Sequence, residues 1–516
     1  MRRRTLLATA PALAAAACTS GTDTKPTASG STPTRTPGGS PSPTTSTAPT
    51  WSALAAGLQG KLVRPGDATY PTARQLYNTR FDDQKPTAVA YVAGEDDIRE
   101  CLAFARAHRT PVSIRSGGHS YAGWSSGTGR LVIDVSKLNR INATTGTIGA
   151  GARLIDVYDT LAATSRTIPG GSCPTVGISG LTLGGGHGVA SRAYGLTCDS
   201  LTSATLITAD GKRLTASATT NKDLFWALRG AGNGNFGVVT DLTFRTHPAP
   251  QTVGAYLSWP WSKAAAVLAA WQEWGPDQPD EIWSSAHLES AAGGRNPTVS
   301  VATFSLGTYS DLQNAVDRLA DRAGSPASSV SLRRRGYKEA MLVYAGCASF
   351  SEDQCHLPGA TPGRTSQGAL QRETYSAASD FYDRSIPAAG LAALLARAEA
   401  FASQSAGGGS IALTALGGAI NRVDPSATAF VHRRSRMLAQ YIASWRPGSS
   451  GSAQQNWLKD THATMRPYAS GAAYQNYTDP TLTDWRTAYF GDAATRLTAL
   501  KKKYDPEKVF NFPQSL

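Results

Sequence analysis

Cysteine is scarce in this chain, with 6 residues among 516, and this scarcity excludes a disulfide-scaffolded domain. Long apolar runs are absent after the N-terminus, so the sequence does not encode a polytopic membrane protein. Charged residues make up only 17% of the chain, yet the formal net charge is +13. The basic residues are scattered, and no nucleic-acid-binding module is recognisable. We therefore expect a solvated basic surface and no nucleic-acid partner.

What the sequence contains instead is glycine and apolar residues. There are 51 glycines, 41% of the residues are hydrophobic, and 11 tryptophans and 18 tyrosines argue against disorder beyond the first fifty residues. At about 150 residues per domain, the length predicts two or three structural units with sizeable cores.

Residues 1–18 have the pattern of an export signal. Arg3 and Arg4 precede Leu6 and Leu7 in a stretch similar to a twin-arginine signal, and the apolar segment is too short to span a bilayer. Three alanines before Cys18 are also typical of a lipoprotein cleavage site. Two outcomes therefore stay open, namely a lipid anchor at Cys18 or simple cleavage and release. Localisation is predicted to be secreted or anchored to the cell envelope.

Residues 19–50 are almost entirely Ser, Thr, Gly, Pro and Ala, a composition typical of a flexible linker. In residues 51–249, short apolar strands alternate with helices and glycine-rich turns, which indicates α/β units. The predicted strands there are Ala88–Ala93, Pro111–Ile114, Leu131–Asp134 and Val238–Thr243, and the predicted helices are Glu95–Ala107 and Lys222–Leu228.

Residues 250–465 mix strand patterns with alanine-rich helical patterns and predict a second, α+β unit. Its predicted strands are Thr298–Phe304 and Ser410–Leu416, and its predicted helices are Ala388–Ser403 and Ala427–Trp445. In the tail, residues 466–516, we predict a strand at Ala473–Tyr477 and a helix at Trp485–Tyr504. Apolar residues continue almost to Leu516, so we expect the tail to pack back onto the body.

Four glycine clusters stand out between residues 115 and 237. Glycine permits positive φ and lets backbone N–H groups approach a phosphate closely, so such loops suit a long ligand with a pyrophosphate. Ordinary tight turns are the alternative. Gly232, Gly234 and Gly237 have the spacing of a dinucleotide fingerprint, but here a helix precedes the cluster and a strand follows it. Because the fingerprint requires the reverse order, we exclude a Rossmann site.

The residues within these clusters resemble those of the berberine-bridge-enzyme-like FAD-linked oxidases, in the flavoprotein superfamily of vanillyl-alcohol oxidase. The resemblance covers residues 66–516 and implies an α+β fold. It predicts a PCMH-type FAD-binding domain in two parts (51–249 and the tail) and an antiparallel-sheet substrate domain flanked by helices. The segments that carry it are PVSIRSGGHSYAGWSSG, GGGHGVASRAYGLTCDSL, DLFWALRGAGNGNFGVVT and YQNYTDP with YDPEKVFNFPQS.

The resemblance implies bicovalent FAD, bound through His119 to the flavin 8α-methyl carbon and through Cys198 to flavin C6. Such attachment suits a neutral imidazole and a thiolate held against an electron-poor ring. A buried inert thiol is the alternative for Cys198, and His187 is expected only to pack. The other implied cofactor contacts are Arg115, Ser116, Gly117, Gly118, Ser120, Thr175, Gly180, Gly184, Gly188, Gly195, Gly237, Val239, Asn476 and Asn511. No metal is implied.

The resemblance also implies Tyr474 as the general base, with Asn476 close to the flavin and Tyr121 on the substrate side. Strand alternation places Tyr474 and Asn476 on one face and Tyr477 on the other. A phenol with an ordinary pKa of about 10 is a poor base, so its neighbours must lower that pKa. An aromatic core pair is the alternative for the two catalytic tyrosines.

The function that follows is an exported oxidase acting on an alcohol or hemiacetal carbon, with C1 of a sugar oxidised to its lactone. Val176 resembles the small residue that admits oxygen in this family, which favours O2 as acceptor and hydrogen peroxide as product. Two alternatives remain, namely a tailoring oxidase of a secondary metabolite and a non-catalytic, FAD-bearing surface-binding protein. No sequence pattern reveals the oligomeric state.

The remaining cysteines carry separate predictions. Cys347 and Cys355 can close a disulfide in an oxidising compartment. With His356 they provide only three ligands, which disfavours a metal site. Cys101 is expected to be a buried thiol in a helix, and Cys173 a free thiol near the flavin.

Overall fold

The computed structural model describes residues 50–516. The predicted export signal, Cys18 and the linker up to residue 49 lie outside the described residues. Within the part described, no helix is long and apolar enough to cross a membrane.

The described chain opens with a four-stranded sheet. Its elements are α1 (Trp51–Gly57), β1 (Lys61–Val63), α2 (Tyr70–Ala73), β2 (Ala88–Tyr91), α3 (Glu95–His108), β3 (Val112–Arg115) and β4 (Leu131–Asp134). The strand order is β1-β2-β4-β3, and β4 runs parallel to both β2 and β3. Parallel neighbours require a crossover of about a dozen residues or more. Residues 116–130 provide it between β3 and β4, and this loop carries His119 and Tyr121.

A second, antiparallel sheet follows. The elements are β5 (Ile141–Asn142), β6 (Thr147–Gly149), α4 (Leu154–Ala162), β7 (Arg166–Thr167), α5 (Ile178–Leu183), α6 (Ser191–Tyr194), β8 (Leu201–Ile207), β9 (Arg213–Ser217), α7 (Lys222–Leu228), β10 (Val238–Phe244) and β11 (His247–Pro248). The strand order is β5-β6-β10-β8-β9, and β7 pairs with β11. Helix α7 precedes β10, so the helix-before-strand order that excludes a Rossmann site is confirmed.

A seven-stranded antiparallel sheet forms the middle of the chain. Its elements are β12 (Thr252–Trp259), α8 (Ala264–Trp274), β13 (Ile282–Ala291), β14 (Thr298–Ser305), α9 (Tyr309–Arg322), β15 (Ser329–Arg335), α10 (Tyr337–Tyr344), β16 (Tyr375–Tyr382), α11 (Ala388–Ala402), β17 (Gly408–Ala415), α12 (Ala419–Arg422), β18 (Met437–Ser444) and α13 (Ser452–Met465). The strand order is β15-β12-β14-β13-β17-β18-β16. One face of the sheet packs with α8, α9, α11 and α13 in a common core. The α+β class and the antiparallel sheet flanked by helices are confirmed.

The predicted helix at Ala427–Trp445 is wrong. The second half of this segment is β18, which lies between β17 and β16 and pairs with both along its whole length. Buried and partly exposed residues alternate in its second half, as in a strand with one covered face. Pairing on both edges outweighs the helix propensity of the alanines.

The tail packs into the core of the first two sheets, with Tyr489, Leu497 and Phe510 buried there. The predicted strand at Ala473–Tyr477 is wrong, because Tyr474 is extended but a 3-10 turn, Gln475–Tyr477, follows it. The backbone N–H of Tyr474 donates to Ser379 Oγ at 3.0 Å instead of joining a ladder. The predicted single helix consists of α14 (Trp485–Phe490), a 3-10 turn and α15 (Ala494–Tyr504).

The structure confirms the predicted disulfide and the buried thiol of Cys101, and shows Cys173 as a free thiol. Cys347 and Cys355 form a disulfide with a Cα–Cα distance of 5.8 Å. Cys101 is a buried thiol on α3, and Cys173 is a free, exposed thiol. The ring of His356 contacts Asp156, at 2.9 Å from Nε2 to Oδ1. Among residues 50–516, no three His, Cys, Asp or Glu side chains are grouped to hold a metal.

Candidate active site

The crossover loop holds His119 between two neighbours. The imidazole Nε2 lies 2.8 Å from Thr175 Oγ1, and the ring of Tyr77 stacks on the imidazole at 4.1 Å between centroids. Burial and the nearby Arg153 guanidinium lower the pKa of His119 to about 3. The imidazole is therefore neutral at physiological pH, as we expect from the sequence. Within residues 50–516, Nδ1 makes no hydrogen bond.

A small cavity of about 40 Å³ lies beside this loop. Arg115 is buried on its wall, paired with Asp134 and donating to the Ala73 carbonyl at 2.8 Å, while its Nη1 has no hydrogen-bond partner among residues 50–516. The predicted contacts that line this cavity are Arg115, Ser116, Gly117, Gly118 and Thr175.

Cys198 lies in a short 3-10 turn after α6, fully buried. Its Sγ is 3.6 Å from Asp199 Oδ1, and the Asp199 carboxylate accepts two hydrogen bonds from Arg433, at 2.7 and 2.8 Å. Burial, followed by the Asp199 charge, raises the pKa of Cys198, and the Arg433 and Arg229 charges oppose this only in part. The resting form is therefore the thiol and not the thiolate that attachment chemistry led us to expect.

Tyr474 belongs to the same apolar cluster as Cys198. Its phenol oxygen accepts hydrogen bonds from the Gly186 N–H and from Asn476 Nδ2, both at 2.8 Å. Burial nevertheless raises the pKa of Tyr474 above its ordinary value, although both hydrogen bonds act to lower it. The expectation that the surroundings lower this pKa overall is wrong for the protein alone.

Tyr121 and Tyr477 complete an aromatic cluster around Tyr474. The rings of Tyr121 and Tyr477 stack at 5.2 Å, and the rings of Tyr474 and Tyr477 lie edge to face at 4.9 Å. The Tyr121 hydroxyl accepts a hydrogen bond from Gln440 Nε2 at 2.8 Å. The structure thus brings Tyr121, Tyr474 and Asn476 together around Tyr477.

The prediction that Tyr477 lies on the face opposite Tyr474, which assumed a strand, is wrong. Because the chain turns at Gln475–Tyr477, both tyrosines of the motif lie in one cluster. His187, expected only to pack, takes part as well, since its Nε2 lies 2.7 Å from the Tyr477 hydroxyl. The sequence signal for His187 was its position among glycines, and for Tyr477 its place in the motif with Tyr474.

Gly184 lies directly against Asn476, next to the aromatic cluster. A Cβ on Gly184 would lie 2.1 Å from Asn476 Oδ1 and 2.7 Å from Asn233 Nδ2. Only glycine therefore leaves room for the Asn476 amide, which also bonds the Leu181 carbonyl at 2.9 Å. The glycines around Gly184 and the tail motif around Asn476 therefore pack directly against each other.

Other predicted contacts lie elsewhere. Gly188 and Gly195 support the turns that flank α6, and Gly237 and Val239 lie at the start of β10. Ser120 accepts a hydrogen bond from the Trp124 N–H at 3.0 Å. Two of the predicted cofactor contacts are exposed, namely Gly180 on α5 and Asn511, which lies in a surface pocket with Arg130.

Comparisons with known proteins agree with this arrangement. Residues 86–217 match the FAD binding domain family, and residues 473–516 match the family described as berberine and berberine like. The first match spans the crossover loop and Cys198, and the second spans the Tyr474 motif.

Similarity extends over most of the chain. The chain is 32% identical over 469 residues to an uncharacterized FAD-linked oxidoreductase, YgaK, of Bacillus subtilis, and the match covers 89% of this chain and 97% of that one. It is 30% identical to a chitooligosaccharide oxidase of Gibberella zeae, covering 87% and 91%. The solved structure of BBE-like 1 from Physcomitrella patens superposes with a TM-score of 0.80 at 31% identity, covering 90% and 97%. The chain therefore belongs to the berberine-bridge-enzyme-like family of FAD-linked oxidoreductases.

Proposed function

We propose that this oxidoreductase holds FAD by two covalent bonds, from His119 and Cys198, and oxidises C1 of a sugar or oligosaccharide to its lactone with O2 as acceptor. The observation that carries the proposal is the Tyr474 phenol oxygen, which receives two N–H donors within one apolar cluster shared with Cys198. A core tyrosine needs one partner for its hydroxyl. Two donors aimed at the oxygen stabilise the negative charge that forms when it gives up its proton.

The residues present fit FAD. Arg115 Nη1 is buried and unpartnered on the cavity wall, which suits a guanidinium that contacts an anionic or carbonyl oxygen of a ligand. His119 is neutral, and Nδ1 is its unpartnered ring nitrogen. When Nε2–H donates to Thr175 Oγ1, the lone pair resides on Nδ1, so this tautomer presents Nδ1 as the nucleophile.

Bound FAD supplies the hydride acceptor of the reaction. Tyr474, in its phenolate form, takes the proton of the substrate hydroxyl and becomes the phenol, while the Gly186 N–H and the Asn476 amide hold its oxygen in place. Tyr121, fixed by Gln440 and by stacking on Tyr477, forms the wall against which the sugar ring lies. Aromatic faces are common platforms for such rings because they exclude water and present a flat apolar surface.

Two further features support the sugar and oxygen assignments. A relative covering most of the chain is named a chitooligosaccharide oxidase. Val176, directly after the His119 partner Thr175, is a small, partly exposed residue at the position that resembles the family's oxygen gate. Export stays part of the proposal because the signal pattern of residues 1–18 and the Cys347–Cys355 disulfide both suit an oxidising compartment.

Peroxide release from purified protein, measured on a panel of monosaccharides and oligosaccharides, tests this function. The wild type is expected to release peroxide with at least one sugar, and Tyr474→Phe to lose roughly 10²–10⁴-fold in rate while keeping its flavin. Tyr468→Phe is a suitable control because Tyr468 lies outside the aromatic cluster. Full activity of Tyr474→Phe would contradict the assigned base, and a wild type inactive on every sugar would contradict the substrate class.

A further inference from the structure

One face of the seven-stranded sheet looks toward the active site. Buried and partly exposed residues alternate along β13 and β17, and the buried set packs with the helices. On β18, the partly exposed Gln440 donates its hydrogen bond to Tyr121. The partly exposed side chains of β13 and β17 therefore lie on the same face of the sheet as Gln440 and extend the surface that contacts Tyr121.

His287 and Glu289 on β13 belong to this exposed set. The strand register aligns Gln440 with Ala412 on β17, and Ala412 with His287 on β13. His287 is thus two strands from Gln440, about 10 Å at a strand spacing of about 4.8 Å, with only a methyl group between them. Glu289 lies roughly 7 Å farther along β13. The span exceeds one sugar ring and requires at least a disaccharide.

Both side chains have hydrogen-bonding capacity that the protein does not use. Among the described residues 50–516, the His287 ring makes no hydrogen bond, and the Glu289 carboxyl accepts one, from Ser410 Oγ at 2.8 Å. No lysine or arginine in that range forms an ion pair with Glu289. Half-buried polar groups with unused hydrogen-bonding capacity, on a sheet face that continues from Gln440 and Tyr121, are most simply explained by a ligand that supplies the partners.

Burial shifts the pKa of both His287 and Glu289, and each shift affects which ligand group the side chain can bind. Burial lowers the pKa of His287 to about 4, so the ring is a neutral donor and acceptor. Burial raises the pKa of Glu289 to about 7, and only the Ser410 hydrogen bond opposes this shift. An ammonium group would favour the ionised carboxylate, whereas a neutral hydroxyl would leave a half-buried charge unpaired.

We propose that His287 and Glu289 form a second sugar subsite beyond Tyr121 and Gln440, and that Glu289 gives it a preference for a unit carrying a free amino group. This inference rests on the proposed sugar oxidation. It assigns the substrate class as oligosaccharides with at least one 2-amino-2-deoxy unit next to the unit that is oxidised.

The test compares Glu289→Gln holoenzyme with wild type on two disaccharides at pH 7, where an ammonium–carboxylate pair can form, one of glucosamine with free amines and its N-acetylated counterpart. Glu289→Gln is expected to lower kcat/KM for the free-amine disaccharide by about tenfold or more, mainly through KM, and to change that for the N-acetylated one less than about twofold. Glu289→Asp keeps the charge and should retain the preference. Glu281→Gln, at an exposed residue directly before β13, is the matched control.

Calorimetric titration of each holoenzyme with the free-amine disaccharide gives a second readout that does not require turnover. Binding by the wild type with about tenfold loss in Glu289→Gln supports the subsite even if no sugar is oxidised, a result that would contradict the proposed function alone. Equal effects of Glu289→Gln on both disaccharides, no effect on either, or no binding by the wild type would overturn the inference.

Discussion

His119 is held by contacts that select one of its two ring nitrogens. Thr175 Oγ1 lies against Nε2, Tyr77 covers one ring face, and Nδ1 has no hydrogen-bond partner within the described residues. In reactive histidines generally, the hydrogen bond made by one ring nitrogen sets the tautomer and the orientation of the ring. Thr175 is therefore the positioning residue for the proposed bond from His119 to the flavin.

Thr175→Val removes the oxygen that fixes the His119 tautomer while keeping the shape of the side chain. We expect the share of flavin bound through His119 to fall several-fold, because the nucleophilic tautomer is no longer selected. Peptide mass spectrometry of the two attachment sites measures this directly. Thr461→Val, in helix α13, is the control, and an unchanged His119 adduct in Thr175→Val would contradict the positioning role.

The pH dependence of substrate oxidation follows from the Tyr474 surroundings. Burial raises the pKa of this phenol, and the base must be deprotonated to accept a proton, so the active form grows as pH rises. Below that pKa the rate should increase about tenfold per pH unit. Anaerobic flavin reduction between pH 7 and pH 9 measures it. A flat profile would show that Tyr474 is not the base that limits this step.

At the residue scale, the sequence predicts which side chains carry chemistry better than it predicts their surroundings. Motif residues such as His119, Cys198 and Tyr474 are recognisable because their types and order suit one reaction. The thiol state of Cys198 and the raised pKa of Tyr474 are not recognisable, because both result from burial by residues distant in sequence.

The tail shows how elements position the site. Its 3-10 turn at Gln475–Tyr477 brings two tyrosines to one place, and the break between α14 and α15 lets the chain fold around the first core. Gly491 makes that break with φ of 46° and ψ of −130°, a backbone conformation that side chains disfavour.

Gly491→Ala should therefore destabilise the protein by roughly 1–3 kcal/mol through backbone strain, since a Cβ there would meet only Val431 at an ordinary 3.5 Å. The midpoint of thermal unfolding, followed by circular dichroism, is expected to fall. Gly57→Ala, at the end of α1 with no atom within 4 Å of a Cβ, should leave it nearly unchanged. Equal midpoints for the two variants would argue against strain at Gly491.

Element prediction succeeds where the local pattern and the tertiary pairing agree. Helix α7 and strand β4 have the predicted bounds, because each is a short apolar segment bounded by polar or glycine residues. The segment Ala427–Trp445 fails because its alanines favour a helix, whereas two sheet neighbours distant in sequence impose a strand.

At the scale of the whole molecule, the buried side chain of Arg192 connects the part of the chain that carries the first two sheets to the seven-stranded sheet. Arg192 on α6 donates to the backbone carbonyls of Ile282 at 2.8 Å and Pro276 at 3.0 Å, and also to those of Leu416 and Gln278. These acceptors belong to the segments that enter and leave the seven-stranded sheet. The turn that carries Cys198 follows α6, so this joint also sets where the thiol lies against the sheet.

Arg192→Met keeps the length of the side chain and removes all of these donors. Each buried carbonyl left without a partner costs about 1–3 kcal/mol, so a large fall in thermal midpoint is expected. Arg422→Met, whose side chain is 62% exposed, is the control and should change the midpoint little. A midpoint for Arg192→Met equal to that of the control would contradict the role of Arg192 as the joint.

The resemblance of sequence motifs predicts the overall architecture, since the glycine clusters and the tail motif are spread over the whole chain. It does not predict the wall formed by Gln440, His287 and Glu289, because that wall depends on the register of β18, β17 and β13. Registers between strands so distant in sequence are set by the packed core.

The measurement that tests the account most directly is the flavin retained after acid precipitation of wild type, His119→Ala, Cys198→Ala and the double variant. Two bonds predict that the wild type and both single variants stay yellow in the pellet, and that only the double variant releases its flavin. Release of all flavin from the wild type would contradict covalent attachment. Release from either single variant would contradict the second bond.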